Sequence, residues 1–104
     1  MRPWTNASNN DLQAYEAISR VFFKYPYLLS NFFDEKKPKL KLPPEKMLMQ
    51  IQNFSSGERV LIKVALDIWS GSGNATVWEL IEVLDRENFF HVLNALVIIK
   101  RNRN

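Results

Sequence analysis

From Gly57 to Trp69 the chain is apolar around nearly the whole circumference of a helix. Val60, Leu61, Ile62, Val64, Ala65, Leu66, Ile68 and Trp69 leave only Arg59, Lys63 and Asp67, spaced by four, as a narrow polar stripe. Such a helix is stable only when neighbours cover it on several sides. The remainder of the 104 residues has to supply those neighbours, which suffices for one domain with one modest core. Three glycines in the whole chain argue against a turn-rich β architecture. The expectation is an all-α fold: about five helices in one small bundle, a single domain over residues 1–104.

Helix starts are written locally. Ser55-Ser56-Gly57-Glu58 and Thr76-Val77-Trp78-Glu79 are capping boxes: the hydroxyl accepts from a first-turn N–H, and the Glu reaches back to the cap. Asp85 caps a last helix from Arg86 to about Lys100, which completes a C-terminal trihelical unit. Earlier in the chain, residues 1–9 read as a polar leader with Trp4 as its anchor. Asn10 caps a helix from Asp11 to about Lys24, with the stripe Leu12, Tyr15, Ile18, Val21 and Phe22. Pro26 ends that helix and starts a short one to Phe33. Phe22, Phe23, Tyr25, Tyr27, Phe32 and Phe33 form an aromatic corner that fills the core. Residues 34–43 are a basic loop or lone edge strand carrying Lys36, Lys37, Lys39 and Lys41. Pro44 opens a helix to about Asn53, with Met47, Leu48 and Ile51 inward. The core is expected to be Leu61, Val64, Leu66, Ile68, Leu80, Leu84, Leu93 and Leu96.

The chain has one His and no Cys, so thiolate zinc sites and cysteine nucleophiles are absent. His91 has no sequence-near carboxylate arranged to orient it, and no Ser sits in a nucleophile elbow. No catalytic residue and no cofactor are assigned, and the expected class is non-enzymatic. The stretch Ser70–Glu79 resembles an EF-hand loop in placing Gly73 at its sixth position and Glu79 at its last. Ile68 stands at the first, however, where a carboxylate is required. No metal site is expected. No apolar run reaches the roughly 18 residues of a membrane span, and the first residues lack a signal peptide's apolar core. A cytoplasmic protein with no membrane association and no small-molecule substrate is expected.

Glu58 to Trp69, Thr76 to Leu84 and Asp85 to Leu96 follow one another as helix, Gly-containing turn, short helix, tight turn, longer helix. Glu79-Leu80 stands near the start of the middle helix, Leu84 at its end, and Leu93 and Leu96 in the third. Residues 57–100 thereby resemble the trihelical core of helix-turn-helix and winged-helix proteins. That resemblance implies DNA binding, with the last helix in the major groove. Arg86, Asn88, His91 and Asn94 would meet bases, while Lys63, Lys100, Arg101 and Arg103 would meet phosphates. The sequence departs from the pattern in the short turn at Asp85, in the acidic Glu79, Glu82, Asp85 and Glu87, and in having no room for a two-stranded wing. The net charge of +3 permits such a role without requiring it.

The other expectation comes from surplus apolar surface. Val97, Ile98 and Ile99 add to an already complete stripe, and Trp78, Ile81 and Phe89 or Phe90 exceed what so small a core needs. A regulatory or protein-interaction domain follows, with Trp78, Ile81, Ile98 and Ile99 as its interface. The partner would be another protein or a second copy in a homodimer. This is the leading functional expectation, and DNA binding through the last helix is the alternative.

Overall fold

The computed structural model describes Trp4 and residues 6–103; residues 1–3 and 5 of the expected polar leader lie outside them. The described residues form six α-helices: α1 (Asn9–Val21), α2 (Pro26–Phe32), α3 (Pro44–Gln50), α4 (Ser56–Ser70), α5 (Val77–Glu82) and α6 (Arg86–Arg101). A 3-10 turn, Ile51–Asn53, extends α3. The protein is all-α. The only β-type pairing among the described residues is a single antiparallel bridge between Phe33 and Leu40.

The caps at Ser55, Thr76 and Asp85 form as their sequences dictate, the first two as complete capping boxes. A third box opens α1. Ser8 accepts from the Asp11 N–H, and the Asp11 carboxylate accepts from the Ser8 N–H. Asn10 is therefore inside the helix rather than its cap. Asp is too short to reach back as readily as Glu, so Ser8-Asn9-Asn10-Asp11 is a weaker sequence signal than the usual box.

α4 lies at the centre. Val60, Leu61, Ile62, Val64, Ala65 and Leu66 are buried on all of its sides. α1 and α6 form the most extensive helix pair and both also contact α4. Small side chains, Ala14 and Ala17 on α1 and Ala95 on α6, are buried there and permit close approach. The last three helices thus share their core with α1.

The opposite side is closed by aromatic rings. Trp4 is 1% exposed. Its ring meets Tyr15 and Phe33 edge-on at centroid distances of 5.1 Å each, and Trp69 at 6.0 Å. Its indole N–H donates to the Asp34 carbonyl at 3.0 Å. Asp34 in turn orders the basic loop: its carboxylate accepts from the Lys36 and Lys37 backbone N–H groups, which hold it below the usual carboxylate range. Phe22, Phe32 and Phe33 fill the core as expected, whereas Phe23 and Tyr27 are exposed.

Trp4→Ala removes the ring that four elements pack around. We expect a loss of about 3–5 kcal/mol, read as a lower urea midpoint. An unchanged midpoint would show that the N-terminal segment does not contribute to the fold.

Candidate functional site

Asp67 near the end of α4 holds the segment that precedes α5. One of its carboxylate oxygens accepts from the Gly73 and Asn74 N–H groups, at 2.8 and 3.0 Å, and the other from Ala75 at 2.9 Å. The chain leaves α4 through Gly71 in the left-handed region, φ 69°. Gly73 then passes so close to α4 that a Cβ there would overlap the Lys63 carbonyl oxygen. One turn back along α4, the Lys63 ammonium binds the Glu79 carboxylate at 2.9 Å. Lys63 and Asp67, the polar stripe of an otherwise apolar helix, are thus the two anchors of α5. The Lys63 contact, followed by the Thr76 N–H, holds the Glu79 carboxyl below its usual range.

The anchoring is polar, and α5 contains no buried residue. Leu80 is partly covered. Val77 is 71% exposed and Trp78 67%, and Ile81 is also exposed. Beside them runs α6, which is apolar on two sides. Its inner side places Asn88, Val92 and Ala95 in the interior. Its outer side presents Phe90, Leu93, Leu96 and Val97 to solvent. Two clefts join the helices. One, about 350 Å³, lies between Ile81, Leu84, Phe89 and Phe90, with Arg86 at its edge. The other, about 320 Å³, lies between Val77, Leu80, Leu96 and Ile99, with Arg103 at its edge. The exposed apolar side chains of the two helices are therefore one surface.

This rotation of α6 differs from the sequence-based expectation. Leu93 and Leu96, expected in the core, are outside, and Val92 and Ala95 take their place. Ile98 and Ile99, expected at an interface, are half-buried against the core. Trp78 and Ile81, expected at an interface, are exposed, and so are Phe90 and Val97, which the sequence also marks as surplus apolar surface. Val92 and Ala95 are fully buried, and α1 is the helix that α6 contacts most extensively.

The residues implied by the helix-turn-helix resemblance are dispersed. Asn88 is 3% exposed, and the His91 ring stacks on Phe23 at 4.8 Å. Both lie on the inner half of α6, and the Asn88 side-chain oxygen and His91 Nε2 are buried without a hydrogen-bond partner. Their placement as base-reading residues is corrected accordingly. Lys63 is bound to Glu79 rather than free to meet phosphate. Arg86, Asn94, Lys100, Arg101 and Arg103 are exposed. Three of the four acidic residues are ion-paired: Glu79 with Lys63, and Asp85 at 3.5 Å and Glu87 at 3.1 Å with the single Lys24 just beyond α1, while Glu82 is exposed. The Asn88 backbone N–H and then Lys24 hold the Asp85 carboxyl below its ordinary range.

No helix of the described residues is long and apolar enough to cross a membrane. No protein-family model, curated protein or solved structure matches this chain.

Two outcomes follow for the buried polar contacts. Asn88→Ala with His91→Ala should lower the thermal midpoint, because Asn88 is buried and the His91 ring packs on Phe23; an unchanged midpoint would place them at the surface. Glu79 has a depressed folded-state pKa, so its stabilising contribution is complete above the ordinary value of about 4.3 and is lost as pH falls through the lower folded value. Glu79→Gln should therefore be less stable than the parent at pH 7, with the difference closing below about pH 4. Urea titrations at both pH values measure this, and a pH-independent difference would contradict the ion pair.

Proposed function

We propose that this chain is a non-enzymatic protein-interaction domain that binds a partner protein through the joined outer faces of α5 and α6. The observation that carries the reading is the exposure, on two adjacent helices, of Val77, Trp78, Ile81, Phe90, Leu93, Leu96 and Val97. A contiguous apolar surface of this kind is uncommon on a protein that works alone, and it marks interaction surfaces elsewhere. Scattered exposed apolar residues need no such explanation; here Val77 and Leu96 line one cleft between the two helices, and Ile81 and Phe90 line the other.

The arrangement also supports the reading energetically. Burying α5 would satisfy Val77 and Ile81, yet the Asp67 and Lys63 contacts hold that helix outward. Rotating α6 would cover Leu93 and Leu96 but would expose Val92 and Ala95, which are fully buried. The fold thus maintains an apolar surface at its own expense, and a partner covering it would recover about 25 cal/mol per Å² of apolar area. Trp78 and Phe90 are the aromatic anchors that such interfaces favour. DNA reading through α6 calls for Asn88 and His91 on the outside, and their packing favours the protein-interaction reading.

Val97→Asp and Ile81→Asp alter exposed positions and should leave the far-UV circular dichroism and thermal midpoint close to those of the parent. Each should abolish recovery of a partner by cross-linking from the native cellular milieu, at contacts mapped to α5 and α6. Cross-links that map elsewhere, or that survive both substitutions, would move the interface away from this face.

A further inference from the structure

We infer that a cavity between α2, the end of the basic loop and α3 is a binding site for a small monocarboxylate with an alkyl chain. The cavity shares no residue with the two clefts of the α5–α6 face, and the inference does not rest on the interaction reading.

The cavity measures about 260 Å³. Its floor belongs to the core: Leu28 and Phe32 of α2, Met47 of α3, Ile51 just after it and Ile62 of α4 are all buried. Three polar side chains reach it from separate segments, Asn31 from α2, Lys41 from the loop and Gln50 from α3. These three residues are exposed, which places them at the mouth rather than in the floor. Recessed apolar space on which a few polar groups converge is the usual form of a small-molecule site. The backbone of Lys41 is held in place. Its N–H donates to the carbonyl of Phe32, the last residue of α2, at 3.0 Å, directly after the Phe33–Leu40 bridge closes the loop.

Charge selects the headgroup. Lys41 is the one charged residue that lines the cavity. It has no ionic partner among the described residues, whose ion pairs involve only the ammonium groups of Lys24 and Lys63. The flanking segments carry Lys36, Lys37, Lys39, Lys46 and Arg59 against Asp34, Glu35, Glu45 and Glu58. Two of those carboxylates are engaged elsewhere: Asp34 by backbone N–H groups of its own loop, Glu58 by the Ser55 cap and the Tyr27 hydroxyl. Glu45 stands two residues before Met47, so it lies about 200° around α3, away from the cavity. Glu35 remains, in the loop beyond the bridge. The mouth is therefore net positive, with one unpaired ammonium and two neutral amides. That set matches a single negative charge. A phosphate monoester brings about two, whereas a carboxylate can take the ammonium on one oxygen and an amide N–H on the other.

Volume selects the tail. A cavity of about 150 Å³ lined by Leu, Ile and Phe takes benzene. At the same filling, 260 Å³ takes about ten carbon atoms. The ligand is thus a medium-chain fatty acid, its chain against the buried floor and its carboxylate at Lys41.

The test is a titration of the intact, isotope-labelled chain with octanoate, decanoate and dodecanoate below their micellar concentrations, followed by methyl NMR. Decanoate should shift the methyl resonances of Leu28, Met47, Ile51 and Ile62 saturably. Octanoate should bind about tenfold more weakly, since two fewer methylenes are buried. Dodecanoate should gain nothing further, because its added carbons lie outside the cavity. Lys41→Glu changes an exposed position and should keep the parent's spectrum. It should weaken decanoate by about tenfold or more and make decylamine the tighter ligand, while 1-decanol binds parent and variant alike. Decanoate that binds the parent no more tightly than 1-decanol, or that ignores Lys41→Glu, would overturn the carboxylate. Affinity that keeps rising through dodecanoate would show unspecific adsorption and overturn the site. Shifts at Val77 and Leu96 without shifts at Ile51 and Ile62 would assign these ligands to the α5–α6 face and overturn it as well. No saturable shift with any of them would dispose of the inference and leave the interaction reading untouched.

Discussion

The close packing of α6 on α1 is the constraint from which the rest of the surface follows. α6 is apolar almost all round, so burial energy alone does not favour one side strongly. The side that ends buried carries the small Val92 and Ala95, and close packing is worth more than burying bulkier side chains with gaps around them. Lys24 fixes the end of the contact by binding Asp85 and Glu87, and Phe23 covers His91. Once Val92 and Ala95 face inward, the helical period places Leu93, Leu96 and Val97 outside. The contact also encloses polar atoms of Asn88 and His91 without partners, a cost the packing has to offset.

α5 is positioned by a different kind of force. It contributes no buried side chain, so hydrophobic burial does not hold it. A carboxylate on α4 gathers three backbone N–H groups of the preceding loop, and an ammonium one turn away takes the Glu79 carboxylate. Charge-assisted hydrogen bonds of this kind are about twice as strong as neutral ones. They are also directional, so they can set a short helix beside α6 without covering it. The result is a shelf of apolar side chains fixed by polar contacts beneath it, a construction suited to holding a recognition surface in place before a partner arrives.

Much of the secondary structure was legible because its determinants are local. The boxes at Ser55 and Thr76 and the cap at Asp85 close hydrogen bonds over three residues, and all three helices begin where those residues stand. The apolar circumference of residues 60–66 likewise required a central position for α4. The candidate site was legible only in part. Trp78 and Ile81 could be named because a short amphipathic helix after a capping box has few ways to hide both. Phe90 and Val97 could be marked as surplus but not placed on one surface, since they lie in a run, Phe89 to Ile99, whose periodicity offers no single face. The work done by Asp67 was hidden for a related reason: a lone carboxylate on a helix looks like solvated surface until the loop it gathers is known.

The sequence by itself determined where the helices capped by Ser55, Thr76 and Asp85 start, that the fold is all-α, and that more apolar side chains are present than one small core absorbs. Those are properties of neighbours in the chain and of composition. Only the tertiary structure decided which of the apolar side chains stay outside. That choice depends on contacts between α1 and α6, elements at opposite ends of the chain. Helical periodicity records that a residue is apolar and where it lies around the axis; it does not record how closely a distant helix can approach.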